Sequence, residues 1–227
     1  MKDTPQTFDK FHGIFWQGEA EVNFLGHIVS EIYKEAVYNE FLPLDKKGKV
    51  ALEIGGNIGA VSFFLSKYFE KVIVLEPSTE HFETLSYMIK FNKLDNVFPI
   101  KKALFTENGK FPFGGPDNNK TMRSLHMATW QDGKPQEDVE TITLDRLFED
   151  EKIDKVHFLK LDCEGSEQEI LGSESFRKVA PKIDSMLIER HSWSSRHPHQ
   201  LEESLKKAGF KVQTLATDAD ILVANRI

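Results

Sequence analysis

An α/β fold with a mostly parallel sheet is what this sequence predicts, on three observations. Val50-Ala-Leu-Glu-Ile54 runs into Gly55-Gly-Asn-Ile-Gly59, Val72-Ile-Val-Leu75 closes on Glu76, and Val156-His-Phe-Leu-Lys-Leu161 closes on Asp162. Each is a short apolar run suited to a strand covered on both faces, and each is followed by a turn and a stretch of helical periodicity. Strand, acid, turn and helix in repetition is the sequence form of parallel strands joined by helices.

A chain of 227 residues, 40% hydrophobic and 29% charged, has the length and composition of one elaborated domain. No apolar run approaches the ~20 residues that a membrane helix needs. The first ten residues also lack the apolar centre of a secretory signal. No membrane span and a cytoplasmic location are therefore expected. Cys163 is the single cysteine, which excludes an intrachain disulfide and a thiolate zinc cluster. A formal net charge of −7 gives no overall attraction to polyanions, so no nucleic-acid partner is expected. Oligomeric state leaves no mark in the sequence.

Two segments are expected, an N-terminal one over residues 1–47 and the main domain over 48–227. In the first, Phe8, Phe11, Phe15 and Trp16 mix with Gly13 and Gly18 too irregularly for one element. From Val22 to Phe41, apolar residues including Leu25, Ile28, Val29 and Ile32 recur at helical spacing, and Pro43 and Gly48 close the run. This segment reads as a helix packed ahead of the sheet, or as a lid in which Phe11, His12 and Trp16 line a pocket.

In the main domain, Ile58 to Tyr68 is expected as the first helix, and Ser78 or Thr79 caps a second that runs to about Phe91. Val97–Ile100 and Ala103–Phe105 mark a third strand and its exit, with Pro99 indicating an edge. Thr106–Glu140 concentrates glycine, proline and asparagine, which predicts a loop or hairpin excursion of the kind that carries specificity. Val139–Leu144 alternates as a strand, Asp145–Phe148 reads as a short helix, and a helix follows Asp162 through Ile170 and Leu171. Ile183–His191 is a further strand ending in Glu189 and His191. His197, Pro198 and His199 read as a loop, and Leu201–Ala208 as an amphipathic helix stopped by Gly209. Phe210–Leu215 and Ile221–Ala224 read as a terminal antiparallel hairpin.

The glycine turn after the first strand makes a nucleotide pocket, and its details select the nucleotide. The dinucleotide fingerprint needs glycines at 55, 57 and 60, where the chain has Gly55, Asn57 and Ala60. A triphosphate loop needs a lysine after the turn, and Ile58-Gly59-Ala60 has none. Glu53 would repel a pyrophosphate and attract a cation. Glu76 stands about 20 residues beyond the first glycine, where such folds place a carboxylate on ribose hydroxyls. A nucleoside with a cationic tail and no phosphate describes S-adenosylmethionine.

Glu53-Ile-Gly-Gly-Asn-Ile-Gly59 with Leu75-Glu-Pro77 resembles the first two motifs of class I methyltransferases. Leu144-Asp145, Leu159-Lys-Leu-Asp-Cys-Glu-Gly-Ser-Glu167, Ile170-Leu-Gly172 and Leu187-Ile-Glu-Arg-His191 narrow the resemblance to the FkbM family, over roughly residues 48–215. Glu53 stands where that family commonly has Asp, and Gly56 where it commonly has Ala. The resemblance implies a Rossmann-like class I methyltransferase fold, a mostly parallel seven-stranded sheet with a C-terminal antiparallel hairpin and helices on both faces. It also implies O-methylation of a hydroxyl on a small molecule, sugar, glycan or polyketide-like acceptor. The expected cofactor-binding residues are Glu53, Gly55, Gly56, Asn57, Ile58, Gly59, Glu76, Pro77, Ser78, Lys102, Ala103 and Asp162.

In open α/β sheets ligands bind beyond the carboxyl ends of the strands, and Glu53, Glu76, Asp162, Glu189 and His191 all stand there. Methyl transfer to a hydroxyl needs alignment with the sulfonium and removal of a proton. His191 has the intrinsic pKa of a base at neutral pH, with Asp162 or Glu189 to orient it or to serve instead. Asp162, Glu164, Glu189 and His191 could alternatively hold Mg²⁺ or Mn²⁺. The alternatives are N-methylation of a nucleic acid or protein, and a catalytically silent module that binds S-adenosylmethionine. The exchange of Asp162-Cys-Glu-Gly165 for the Asn/Asp-Pro-Pro-aromatic block of many amine methylases favours oxygen.

Overall fold

The computed structural model describes residues 7–9, 14–16, 38, 41–115, 123–125, 134–191, 198–215 and 220–227, of which 7–9, 14–16, 134 and 198–199 are described in backbone only. Seven strands form the main sheet: β3 (Val50–Ile54), β4 (Lys71–Leu75), β5 (Val97–Ile100), β9 (Val156–Leu161), β10 (Ile183–Glu189), β11 (Phe210–Thr214) and β12 (Ile221–Arg226). Their spatial order is β11-β12-β10-β9-β3-β4-β5. Neighbours from β10 to β5 are parallel, whereas β12 runs antiparallel to both β10 and β11. The expected sheet and terminal hairpin are therefore present. The order reverses beside β3, whose neighbours are β4 and the much later β9, so the ends of β3 and β9 open the crevice of such sheets.

Both faces are covered, as the continuous apolar runs require. One face carries Leu52, Ile54, Ile73, Leu75, Leu159 and Leu161. Against it pack α3 (Leu144–Asp150), α4 (Glu167–Gly172), α5 (Glu174–Val179) and α6 (Pro198–Lys207) through residues such as Phe148, Ile170, Phe176 and Leu205. The other face carries Ala51, Val72, Val74, Phe158 and Leu187. It is covered by α1 (Ala60–Leu65) and α2 (Thr79–Phe91) through Val61, Phe63, Leu85 and Met88. Ser78 is the cap of α2, and its hydroxyl accepts from the His81 amide.

Several boundaries differ from expectation. The first helix is six residues, Ala60–Leu65, because Asn57 and Gly59 adopt positive φ of 48° and 97° and delay its start. Pro198 and His199 begin α6 rather than lying in a loop, an accepted place for a proline whose missing N–H is not needed in the first turn. His197 lies outside the described residues. Pro99 sits in β5, which among the described residues pairs only with β4, so its missing donor faces no described partner strand.

The excursion is a sheet of its own. β6 (Ala103–Leu104), β7 (Gly109–Gly115) and β8 (Lys134–Ile142) pair in the order β6-β8-β7. Near the amino terminus, β1 (Thr7–Asp9) and β2 (Ile14–Trp16) pair antiparallel, giving two short strands where no single element was legible. The helix expected from Val22 falls outside the described residues apart from Tyr38 and its end at Phe41. So do the lid candidates Phe11 and His12, and of Trp16 only the backbone is described. Tyr38 is buried, edge-on to Phe64 and Phe158.

Candidate active site

The turn after β3 is held by backbone. The amides of Gly55 and Gly56 donate to the Leu75 carbonyl at 3.0 and 2.9 Å, and the Asp162 amide donates to the Ile54 carbonyl at 3.1 Å. Gly55 has φ of +83°, and a Cβ there would lie 1.7 Å from the Asp162 carbonyl oxygen. A Cβ on Gly56 would lie 2.2 Å from a methyl of Val74. Both glycines are required by close approach, and Gly55 by its conformation as well.

Two buried acids flank this turn. Glu76 accepts from the Asn57 amide at 2.7 Å through Oε2 and from the Ser78 amide at 2.8 Å through Oε1. Glu53 accepts from the hydroxyl of Ser62 on α1. Burial pushes both carboxyls up to about 7, against the pull of Lys160 and Ser62 on Glu53 and of the two amides on Glu76. Without a cationic ligand each is poised to titrate near neutrality.

A third acid and a cation come from β9. Glu53 and Lys160 are register partners on adjacent parallel strands, so their side chains share a face. The ammonium of Lys160, itself buried, lies 2.7 Å from Oδ2 of Asp162. Burial works against that charge, but Asp162, Tyr38 and Glu53 hold the proton on well above the usual lysine value. Asp162 is likewise penalised by burial, yet Lys160 and His191 bring its carboxyl below the ordinary range, and Glu189 hydrogen-bonds to it.

His191 sits among carboxylates. Its Nδ1 is 3.0 Å from Oε1 of Glu167, and its Nε2 is 3.2 Å from Oε2 of Glu164 and 3.8 Å from Oδ1 of Asp162. Burial opposes a charged ring, but Glu164, Glu167 and Asp162 outweigh it and raise the pKa to about 11. Glu167 is 2% exposed and is fixed by the amides of Cys163 and Gly165. Donor atoms of Asp162, Glu164 and His191 lie within 4.8 Å of one another, close enough to share one ion. Glu189 is outside that group. Cys163 faces the cleft with its thiol pushed well up by burial, which leaves it unreactive as a nucleophile.

Glu53, Glu76, Lys160, Asp162, Cys163 and Glu164 border one cleft, whose lining includes neither His191 nor Glu167. Of the expected residues, Glu53, Gly55, Gly56, Asn57 and Ile58 line it at the turn, and Glu76, Pro77, Lys102 and Ala103 along the next strands. Asp162, Glu164 and Glu189 close its far side. Gly59 and Ser78 stand behind the lining, Gly59 against Phe63 and Leu85, and Ser78 as the buried support of Glu76. Sequence reasoning passed over four groups. Lys160 had a signal, a lone lysine inside an apolar strand. Glu167 was visible only as a helix-start acid, and Tyr38 and Arg123 had no signal at all.

The sequence profile described as the Methyltransferase FkbM domain matches residues 53–212, from Glu53 to β11, and takes in every group just described except Tyr38. The chain belongs to the FkbM methyltransferase family. Among solved structures, a methyltransferase FkbM from Methylobacillus flagellatus KT is 14% identical with a TM-score of 0.53, over 78% of this chain and 43% of that one. The FkbM chain described here thus spans less than half of that protein's length. A protein assigned as an rRNA methylase from Clostridium thermocellum has 12% identity and a TM-score of 0.54 over 86% and 95% of the two chains. A protein assigned as a methyltransferase from Streptococcus mutans, in complex with SAH, has 12% identity and a TM-score of 0.52 over 85% and 97%. At these identities the likeness is one of fold. No curated protein matches the sequence. Among the described residues of the FkbM chain, no helix is long and apolar enough to cross a membrane.

Proposed function

We propose that this FkbM methyltransferase transfers the methyl group of S-adenosylmethionine to a hydroxyl of a small-molecule or carbohydrate acceptor. The observation that carries the cofactor is the pair of buried acids, Glu53 and Glu76, on either side of a glycine turn in one cleft. Glu76, with both oxygens already fixed by backbone amides, is oriented to receive ribose hydroxyls. Glu53 is oriented to receive the ammonium of the methionine tail, which would recharge a carboxyl that burial has pushed up to about 7.

Between these two acids and the far side of the cleft, Asp162 is the carboxylate that an acceptor hydroxyl would meet, with His191 behind it. His191 already carries its proton at neutral pH, so Asp162 takes the proton from the acceptor hydroxyl, while the imidazolium, set behind Asp162 and Glu164, holds those carboxylates in place. Glu189 orients Asp162, and Lys160 keeps it ionised. Oxygen attacks the methyl carbon, the carbon–sulfur bond breaks, and its electrons return to sulfur, giving S-adenosylhomocysteine, the methyl ether and a proton on Asp162. The acids around this end of the cleft disfavour a polyanionic acceptor such as RNA. Asp162, Glu164 and His191 would offer Mg²⁺ or Mn²⁺ two carboxylates and an imidazole, but only an ion that displaced the His191 proton could take the last.

The deciding experiment is calorimetric titration with S-adenosylmethionine and with a nicotinamide dinucleotide, followed by transfer of labelled methyl to a panel of hydroxylated and amine acceptors, before and after chelation with metal add-back. Binding of the first ligand and labelled ether products are expected. Binding of the dinucleotide alone overturns the cofactor, transfer only to amines overturns the acceptor, and binding without transfer to any acceptor leaves a silent module.

A further inference from the structure

Between Glu189 and His191, the two residues that bear on Asp162 from the end of β10, stands Arg190. Only 13% of its side chain is exposed, and it does not line the cleft. Its guanidinium forks onto Asp220, with Nε donating to Oδ2 at 2.8 Å and Nη2 to Oδ1, while Nη1 reaches Oε1 of Glu202 at 3.4 Å. The Arg190 amide also donates to the Asp220 carbonyl at 2.8 Å. A two-bond pair between arginine and carboxylate fixes direction as well as distance, which a single charge contact does not.

This clasp joins the end of β10, the start of β12 and α6. Asp220 directly precedes Ile221, the register partner of Glu189, and both Ile221 and Glu189 line the cleft. Glu202 belongs to α6, which packs beside α4, and Gln200 of α6 accepts from Gln168 of α4 at 2.7 Å. From α4 comes Glu167, the carboxylate on Nδ1 of His191. The contacts close a ring, running from Arg190 to α6, on to α4, from there to His191, and back to Arg190 along the chain. Such a ring leaves the strand end little freedom to turn Glu189 or His191 away from Asp162.

We propose that Arg190 is a positioning residue for methyl transfer: clasping Asp220 and Glu202 from outside the cleft, it fixes the strand end that carries Glu189 and His191 and, through them, the direction of the Asp162 carboxylate. This rests on the reaction assigned under Proposed function. Alignment is what such a residue contributes, because a misplacement of about 1 Å at the reacting groups costs about a hundredfold in rate.

The test compares Arg190→Met, Arg190→Lys and Asp220→Asn with wild type and with a control, Lys155→Met, which breaks the 3.0 Å pair of Lys155 with Asp184 at the other end of β9 and β10. Each protein is read by thermal unfolding, by calorimetric affinity for S-adenosylmethionine, and by kcat and KM for labelled methyl transfer to the best hydroxylated acceptor of wild type. Nitrogen-15 spectra of the histidine rings, with His191→Gln to identify the signals, read the bonds of His191 to Glu167 and Glu164 directly. Arg190→Met is expected to lower kcat by roughly ten- to a hundredfold, and the two milder variants by less, with KM and cofactor affinity little changed. The His191 signals are expected to shift in these three variants and not in Lys155→Met. Either an unchanged kcat or unchanged His191 signals in the folded Arg190 variants overturns the proposal. A fall in cofactor affinity as large as the fall in rate also overturns it, as do equal effects from Lys155→Met, because either marks a general loss of stability. If Arg190→Met does not fold, Arg190→Lys and Asp220→Asn decide by the same readouts. If wild type methylates no acceptor, the reaction assigned under Proposed function falls, and the His191 signals alone decide whether the clasp sets that ring.

Discussion

The two ends of the cleft are built on different principles. At the end proposed for the nucleoside, position comes from backbone: glycines without room for a Cβ, a left-handed turn, and a carboxylate held by two amides. At the acceptor end, position comes from side chains holding one another, with His191 between Glu167, Glu164 and Asp162, and Asp162 on Lys160. Backbone fixes a shape that tolerates no substitution but little affects charge. A web of ionised side chains tolerates changes of shape but not of charge.

The largest expected effect is therefore at the turn. Gly55→Ala places a methyl against a backbone oxygen at a positive φ, and strain plus overpacking should cost about 2–5 kcal/mol, read as a lowered thermal midpoint with cofactor binding lost. A midpoint within a degree of wild type would show that the turn is not rigid. Next comes Asp162→Asn, which keeps shape and removes charge. It should lower kcat by about 10²–10⁴-fold while cofactor affinity, read by calorimetry, changes far less. If affinity falls as much as rate, the two ends are not separable. Glu76→Gln should do the reverse, weakening S-adenosylmethionine by roughly ten- to a hundredfold through loss of charged hydrogen bonds.

The smallest effect is a pH dependence. Glu53 and Glu76 are raised to about 7 in the free fold, so they bind more protons folded than unfolded. Their contribution to stability is present in full below the ordinary glutamate range and is lost as pH rises through 7. The free protein's melting point should fall between pH 5 and 8. Affinity for the cationic cofactor should rise over the same interval and level off above it. Glu53→Gln should flatten part of both curves, and an unchanged slope would place the titration elsewhere.

Much of the nucleoside end was legible because its signals are local: glycines at 55, 56 and 59, an acid just before them, and a second acid at the next strand end. The acceptor end was legible as residue types but not as charges. Nothing in the spacing of 162, 164, 167 and 191 reveals that three carboxylates close on one imidazole and keep it protonated. The appended sheet was legible only as a loop or hairpin excursion, for another reason. Gly109-Lys-Phe-Pro-Phe-Gly-Gly115 has the composition of a turn, yet it serves as a strand because among the described residues β8 is its one partner strand at Pro112, the bridge to Ser124 lying further on at Gly114. Arg123 depends on that sheet for its place.

The contact between Gly55 and the carbonyl of Asp162 has a mechanical consequence. Because nothing larger than a hydrogen separates them, the turn after β3 and the carboxyl end of β9 are one rigid piece, which on the proposed function underlies both donor and acceptor. The distance between donor and recipient is then set when the chain folds and does not have to be found anew at each turnover. The appended sheet, by contrast, is fastened to the rest of the cleft wall by side chains such as Glu137 and Arg123 and not by fused backbone.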